Sequence, residues 1–149
     1  HNDLGRSIDP EEALDLLSQA EEEGLVLQPS NSKDSSNICM CCGCCCGVLK
    51  NLKTMDTPAR VVHSNYYAHV DEKACTGCEA CLARCQMDAI AMAEIARVNL
   101  DRCIGCGLCV TECPTDAMTL LQKAAEAHYV PPRNIVETYM NIAHERGLI

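Results

Sequence analysis

Apolar residues fall at helical spacing near both ends of the chain and at much shorter range in between. Near the N-terminus, Ala13, Leu16, Leu17 and Ala20 recur at intervals that place them on one helix face. Asp9 precedes them as a cap, Pro10 takes the first helical position, Glu12 completes a capping box and Gly24 is placed to stop the helix. The pattern predicts a helix over 10–23. A short apolar Leu25-Val26-Leu27 follows, and the polar stretch from Pro29 to Asn37 reads as a loop or linker. Toward the C-terminus, an Asn134/Glu137 capping box and a stripe of Val136, Tyr139, Met140 and Ala143, ending at Gly147, predict a second amphipathic helix. That stripe is expected to pack on its own domain. Between these helices, Ala89–Met92 and Ala96–Val98 read as short strands flanking a turn, with Ala117–Leu120 as a later counterpart. The tract from Pro58 to Val70 has no assignable pattern.

Composition changes the picture of the interior. The 149 residues include 14 Cys and 4 Tyr but no Phe and no Trp, so side chains that ordinarily fill a core of this size are missing. Something else must fill the centre. Cysteine this dense means either a disulfide scaffold or metal binding in a reducing compartment. The acidic, amphipathic start does not resemble a secretory leader and no apolar run approaches a membrane span, so the expectation is a cytoplasmic metal-binding chain. The start at His1-Asn2, without Met, is read as a piece of something longer or a tag remnant. Twelve Lys and Arg against 21 Asp and Glu give a formal charge of -9, which argues against nucleic acid as a partner and favours a basic or neutral redox protein or a covalently linked domain.

The cysteines show an internal repeat with a period of 28 residues: Cys75, Cys78, Cys81 and Cys85 match Cys103, Cys106, Cys109 and Cys113, and Asp88-Ala89 matches Asp116-Ala117. Each run has the form C-x-x-C-x-x-C-x-x-x-C. Over residues 68–122 this resembles the bacterial two-cluster ferredoxin, a spacing that is the standard example for such proteins. The resemblance implies an α+β fold of two duplicated β-α-β halves around two 4Fe-4S clusters. It also implies a crossed ligand set, with Cys75, Cys78, Cys81 and Cys113 on one cluster and Cys103, Cys106, Cys109 and Cys85 on the other. Gly77, Gly105 and Gly107 would ease the tight curl around each cluster. Gln86 departs from the family, which usually has Pro after the fourth Cys; this bears on the geometry and potential of the cluster that Cys85 ligates. Two tetrahedral zinc sites are the competing reading, but zinc ligands usually pair across a longer gap.

Six further cysteines, Cys39, Cys41, Cys42, Cys44, Cys45 and Cys46, lie within eight positions around Gly43. If helical, Cys39, Cys42 and Cys46 would share one face, within about 60°, with Cys41, Cys44 and Cys45 opposite; Gly43 leaves a distorted loop equally open. Three readings compete: a third, polynuclear Fe-S centre, a metallothionein-like zinc or copper site, and a peroxidase-like or disulfide-exchange site. The first is favoured because a chain already carrying two cubanes is matured by the same machinery. His63 and His69 are candidate additional ligands. A cysteine-rich preamble before a dicluster domain is also loosely similar to the C-terminal end of larger anaerobic redox proteins.

The expected organisation is a helix and linker over 1–36, a metal-thiolate segment over 37–67, the dicluster domain over 68–122, and a linker with a docking helix over 123–149. Two functions follow. One is an oxygen-sensitive electron-transfer module, since 68–122 offers no nucleophile or general base. The other is a redox enzyme or sensor in which the six-cysteine centre is the active site and the two cubanes supply electrons.

Overall fold

The first helix, α1 (Pro10–Glu22), begins where Asp9 Oδ1 accepts the Glu12 N–H at 2.8 Å. The reciprocal half of the expected capping box does not form, because the Glu12 carboxylate pairs with Arg6 instead. At the other end Gly24 turns left-handed (φ +79°). The Gly24 N–H reaches the Glu21 carbonyl and the Leu25 N–H that of Ala20, which is a Schellman stop. Residues 5–149 of this computed structural model are described; His1-Asn2, and with them the reading of the chain start, lie outside the described residues.

The polar stretch is a loop. It joins β1 (Val26–Pro29) to β2 (Ile38–Cys41) as an antiparallel hairpin with Val26 opposite Cys41, so the first cysteines are delivered on a strand. The helical option for the six-cysteine run is therefore corrected: β2 ends at Cys41, residues 43–45 form a turn, and α2 (Gly47–Lys53) starts only after Cys46. Gly43 inside the turn and the pairing of β2 with β1 account for the difference. Leu49 and Leu52 hold α2 on the core, Leu49 with no exposed surface at all.

The unassigned tract resolves into a 3-10 turn at Pro58–Arg60 and a strand, β3 (Tyr66–Val70). Then come α3 (Ala80–Arg84), β4 (Ile90–Met92), β5 (Ala96–Val98), α4 (Leu108–Thr111) and β6 (Met118–Gln122). β4 and β5 form the expected hairpin, while β3 pairs antiparallel with β6, Ala68 opposite Leu120. The whole is an α+β mixture of short helices and three two-stranded antiparallel sheets. No helix among the described residues is long and apolar enough to cross a membrane.

Two apolar clusters make the core. One gathers Val26, Leu49, Leu52, Met87, Ala89, Ile104 and Leu108, and the other Ala68, Cys81, Ile90, Ala96, Cys109 and Met118. The Arg102 guanidinium joins α2 to the second half of the chain by donating to the carbonyls of Met87, Met55 and Lys53 at 2.8–3.0 Å.

The last helix, α5 (Ile135–Glu145), is capped by Asn134, whose Oδ1 accepts the Glu137 N–H at 3.1 Å. The predicted stripe does not pack on its own domain: Val136, Tyr139 and Met140 are all exposed. α5 is instead held near its start, where Thr138 donates to the Asn31 carbonyl. Just before it, the Pro132 and Arg133 carbonyls accept the N–H groups of Lys33 and Asp34.

Candidate metal centres

Each four-cysteine run is shaped by backbone that few residues adopt. Gly77 and Gly105 have φ of +68° and +67°. Glu79 and Gly107, which start α3 and α4, have +63° and +88°, and Asp88 and Asp116 have +51° and +53°. These pairs stand at the repeat period, so the duplication in sequence is a duplication of local conformation. Glycine is required at the first pair for a second reason. A Cβ on Gly77 would stand 2.6 Å from the Glu94 carbonyl, and one on Gly105 would collide with that of Tyr66. The left-handed entry turns each short helix so that its cysteine, Cys81 in α3 and Cys109 in α4, faces the core and is buried.

The thiols are gathered in two sets. Burial pushes the Cys81 thiol up, and Cys75, Cys78 and Cys113 press on it further. Burial pushes Cys109 up to about 12, with Cys106, Cys103 and Cys85 adding to it. Cys106 is raised likewise, by burial first and then by Cys85 and Cys103. Cys113 is held low: burial acts against the thiolate, but hydrogen bonding with the backbone at Thr115, Met118 and Ala117 outweighs it. The Ala89 N–H points at Cys85 Sγ at 3.2 Å and the Ala68 N–H at Cys103 Sγ at 3.4 Å. Cys85, Cys103, Cys106 and Cys109 line one small cavity, completed by Ala68, Ile90, Val98 and Leu108.

This donor chemistry suits a bulky cationic inorganic core. Thiols that resist ionisation because water is excluded and each presses on the others become thiolates when a positive group enters, and backbone N–H groups aimed at sulfur stabilise that form. The spacing also discriminates. A single tetrahedral zinc with bonds of about 2.3 Å needs its sulfurs roughly 4 Å apart. Among the described residues, none of these eight cysteines belongs to a trio of potential ligands within 4.8 Å of one another.

Residues 68–120 match the family model of the 4Fe-4S dicluster domain. The match supports an iron-sulfur, ferredoxin-type domain over these residues, and with the cysteines around it an iron-sulfur electron-transfer role. No curated protein matches the chain. The dicluster match begins after Cys46, so the six-cysteine run falls outside it.

That run splits in two. The Cys42, Cys44 and Cys45 sulfurs lie within 4.8 Å of one another, with Cys42 and Cys44 joined as a disulfide and Cys45 Sγ 3.5 Å from Cys42 Sγ. Cys41 and Cys46 form a second group. Burial pushes Cys41 up, and its hydrogen bond with Cys46 adds to this, while Cys46 is held low chiefly by the Leu49 backbone N–H at the start of α2. Cys39 is exposed, 3.6 Å from Asn37 Nδ2. Neither histidine joins the trio: His63 stacks on Tyr129 with ring centroids 4.1 Å apart, and His69 lies on β3 opposite Thr119. One contact was invisible in the sequence. Gln86, next to Cys85, reaches the turn between Cys42 and Cys44.

Proposed function

We propose that the chain is an electron-transfer protein, or a domain of one, carrying two 4Fe-4S clusters in 68–122 and a third, polynuclear Fe-S centre on the six-cysteine run. The observation that carries the reading is the crossed grouping of thiols, Cys113 with the first run and Cys85 with the second. Cys75, Cys78, Cys81 and Cys113 would hold one cluster, and Cys103, Cys106, Cys109 and Cys85 the other. The units β3-α3-β4 and β5-α4-β6 are then the two halves of a duplicated β-α-β fold. Bound clusters supply one-electron chemistry. The protein's part is to exclude water from Cys81 and Cys109, to orient sulfur with the Ala68 and Ala89 N–H groups, and to set potential through those bonds and an acidic surface.

The four-part division 1–36, 37–67, 68–122 and 123–149 is proposed as one of roles, since the β1–β2 hairpin crosses its first boundary. The third centre would draw on the free thiols of Cys39, Cys41, Cys45 and Cys46, and on Cys42 and Cys44 once their disulfide is reduced. A second reading there, a single zinc or copper ion, would take the close trio of Cys42, Cys44 and Cys45 once a dithiol reductant has opened the Cys42–Cys44 disulfide. The place of action is proposed to be the cytoplasm under anaerobic conditions, with a redox protein or linked domain as partner.

Anaerobic metal and sulfide analysis with EPR of the reduced protein tests the whole reading. Two cubanes require about eight Fe with matching sulfide, and the third centre requires iron beyond that. About eight Fe plus one zinc would replace the third Fe-S centre by the single-ion reading. About eight Fe and no other metal would eliminate a third metal centre.

A further inference from the structure

Gln86 occupies the position after Cys85 where the resembling ferredoxins usually carry Pro, and it makes two contacts that Pro cannot. Its Oε1 accepts the Gly43 N–H at 2.9 Å, and its Nε2 donates to the Gly24 carbonyl at 3.0 Å. Gly43 sits inside the turn between Cys42 and Cys44, and Gly24 is the residue that stops α1. One side chain therefore ties the backbone beside Cys85 to the six-cysteine turn and to the end of the preceding helix. The approach depends on glycine at 43, since a Cβ there would stand 2.9 Å from Gln86 Oε1 and 3.4 Å from the Gln86 carbonyl.

Packing gives the same order independently. Cys41 and Cys46 pack against the core cluster built on Val26, Leu49 and Met87, and so do Cys85 and Cys103. Cys75 and Cys113 pack only against the other cluster, which Cys85 and Cys103 also touch. Cys85 and Cys103 thus stand between the six-cysteine segment and the Cys75 set.

We propose that Gln86 is a positioning residue that couples the six-cysteine segment to the Cys85 thiolate and makes that segment the terminal redox site of the chain. The order is the Cys75 set, then the Cys85/Cys103 set, then residues 39–46. This rests on the reading of 39–46 as a redox centre. Loading the segment would first require a dithiol reductant to open the Cys42–Cys44 disulfide, which takes up two electrons and two protons and leaves two thiols. With the centres bound, a one-electron reductant acting on the Cys75 set would supply one electron, accepted in turn by the Cys85/Cys103 set and by the six-cysteine centre, each donor oxidised by one electron as its acceptor is reduced by one. The covalent path from Cys85 into Gln86, and the hydrogen bond that Gln86 Oε1 accepts from the Gly43 N–H, form a bonded bridge to the turn.

The test compares Gln86→Ala, Gln86→Glu and Gly43→Ala with the unaltered full chain, all prepared anaerobically. Metal and sulfide content, the midpoint potential of each centre, and EPR spin coupling between centres are measured. Gln86→Ala should keep its metal content and the potential of the Cys75 cluster, shift the potential of the six-cysteine centre, and lose that centre's magnetic interaction with its neighbour. Gln86→Glu keeps an acceptor for the Gly43 N–H and should restore the interaction. Gly43→Ala strikes the same contact from the other side and should reproduce the loss, the double variant being no worse than either single one. Unchanged coupling and potential in both single alanine variants, with the third centre present, would overturn the proposal. So would loss of iron from the Cys85 cluster in Gln86→Ala but not in Gly43→Ala, which would make Gln86 merely structural. A wild-type chain with no third redox signal removes the reading of 39–46 itself, a different and separately visible failure.

Discussion

At Gly105 the backbone is left-handed and has the Tyr66 carbonyl directly against the position a Cβ would take. Gly105→Ala is expected to cost at least about 1–2 kcal/mol from the left-handed strain alone, with the collision in addition. Denaturant unfolding of the iron-loaded protein measures this, and Gly107→Ala, which meets only the flexible Leu120 side chain at 3.3 Å, should cost less. A second prediction concerns Cys85. Cys85→Ala should perturb the cluster shared with Cys103, Cys106 and Cys109 in EPR, and loss confined to the Cys75 cluster would refute the crossed assignment. Residues of this kind were legible in the sequence because cluster ligation imposes a spacing, and tight curls impose glycine. Glu79 was not: it adopts the left-handed turn that Gly107 adopts in the other repeat, with a residue type that does not advertise it. The partners of Gln86 were hidden for another reason, since Gly24 and Gly43 are far from it in sequence and approach only in the folded chain.

At the scale of elements, α1 was readable because its cap, its proline and its glycine stop are local signals. β2 was not, because a run of cysteines carries no strand alternation, and its strand character comes from pairing with Val26–Pro29. β3 was missed for the same cause: Tyr66–Val70 finds its partner in Met118–Gln122, across the whole domain. α5 was found but its stripe was misplaced, since hydrogen bonds at Asn31, Lys33 and Asp34 fix the helix while Val136, Tyr139 and Met140 stay exposed. α2 depends on two anchors that can be tested apart. Leu49→Ala is expected to destabilise the protein by about 2–5 kcal/mol, because the side chain is fully buried. Arg102→Lys loses the planar fork that reaches three carbonyls. Hydrogen exchange should rise across 47–55 while the EPR of the Cys75 cluster is unchanged.

For the molecule as a whole, the missing Phe and Trp become a dependence on metal. The core clusters are built from Ala, Val, Ile, Leu and Met with cysteines packed among them, so the proposed inorganic cores would supply much of the remaining interior. Removing iron by chelation under oxidising conditions should abolish the cooperative unfolding transition of 68–122. Circular dichroism with hydrogen exchange checks this, and a metal-free protein that still unfolds cooperatively would contradict it. The composition therefore announced the kind of core, while the sheet pairings that close it had to be seen.

The clasp between the hairpin loop at Asn31–Asp34 and the segment Pro132–Thr138 also sets an order in time. Its donors and acceptors come from opposite ends of the chain. During synthesis residues 68–120 are complete before Pro132 exists, so cluster insertion there can precede the clasp, whereas the hairpin carrying Cys39 and Cys41 gains this support only once the C-terminal segment has been made. The hairpin thus gains its clasp only after residues 68–120 are made, and translation stopped short of Pro132 would leave a chain with all 14 cysteines present and its hairpin unclasped.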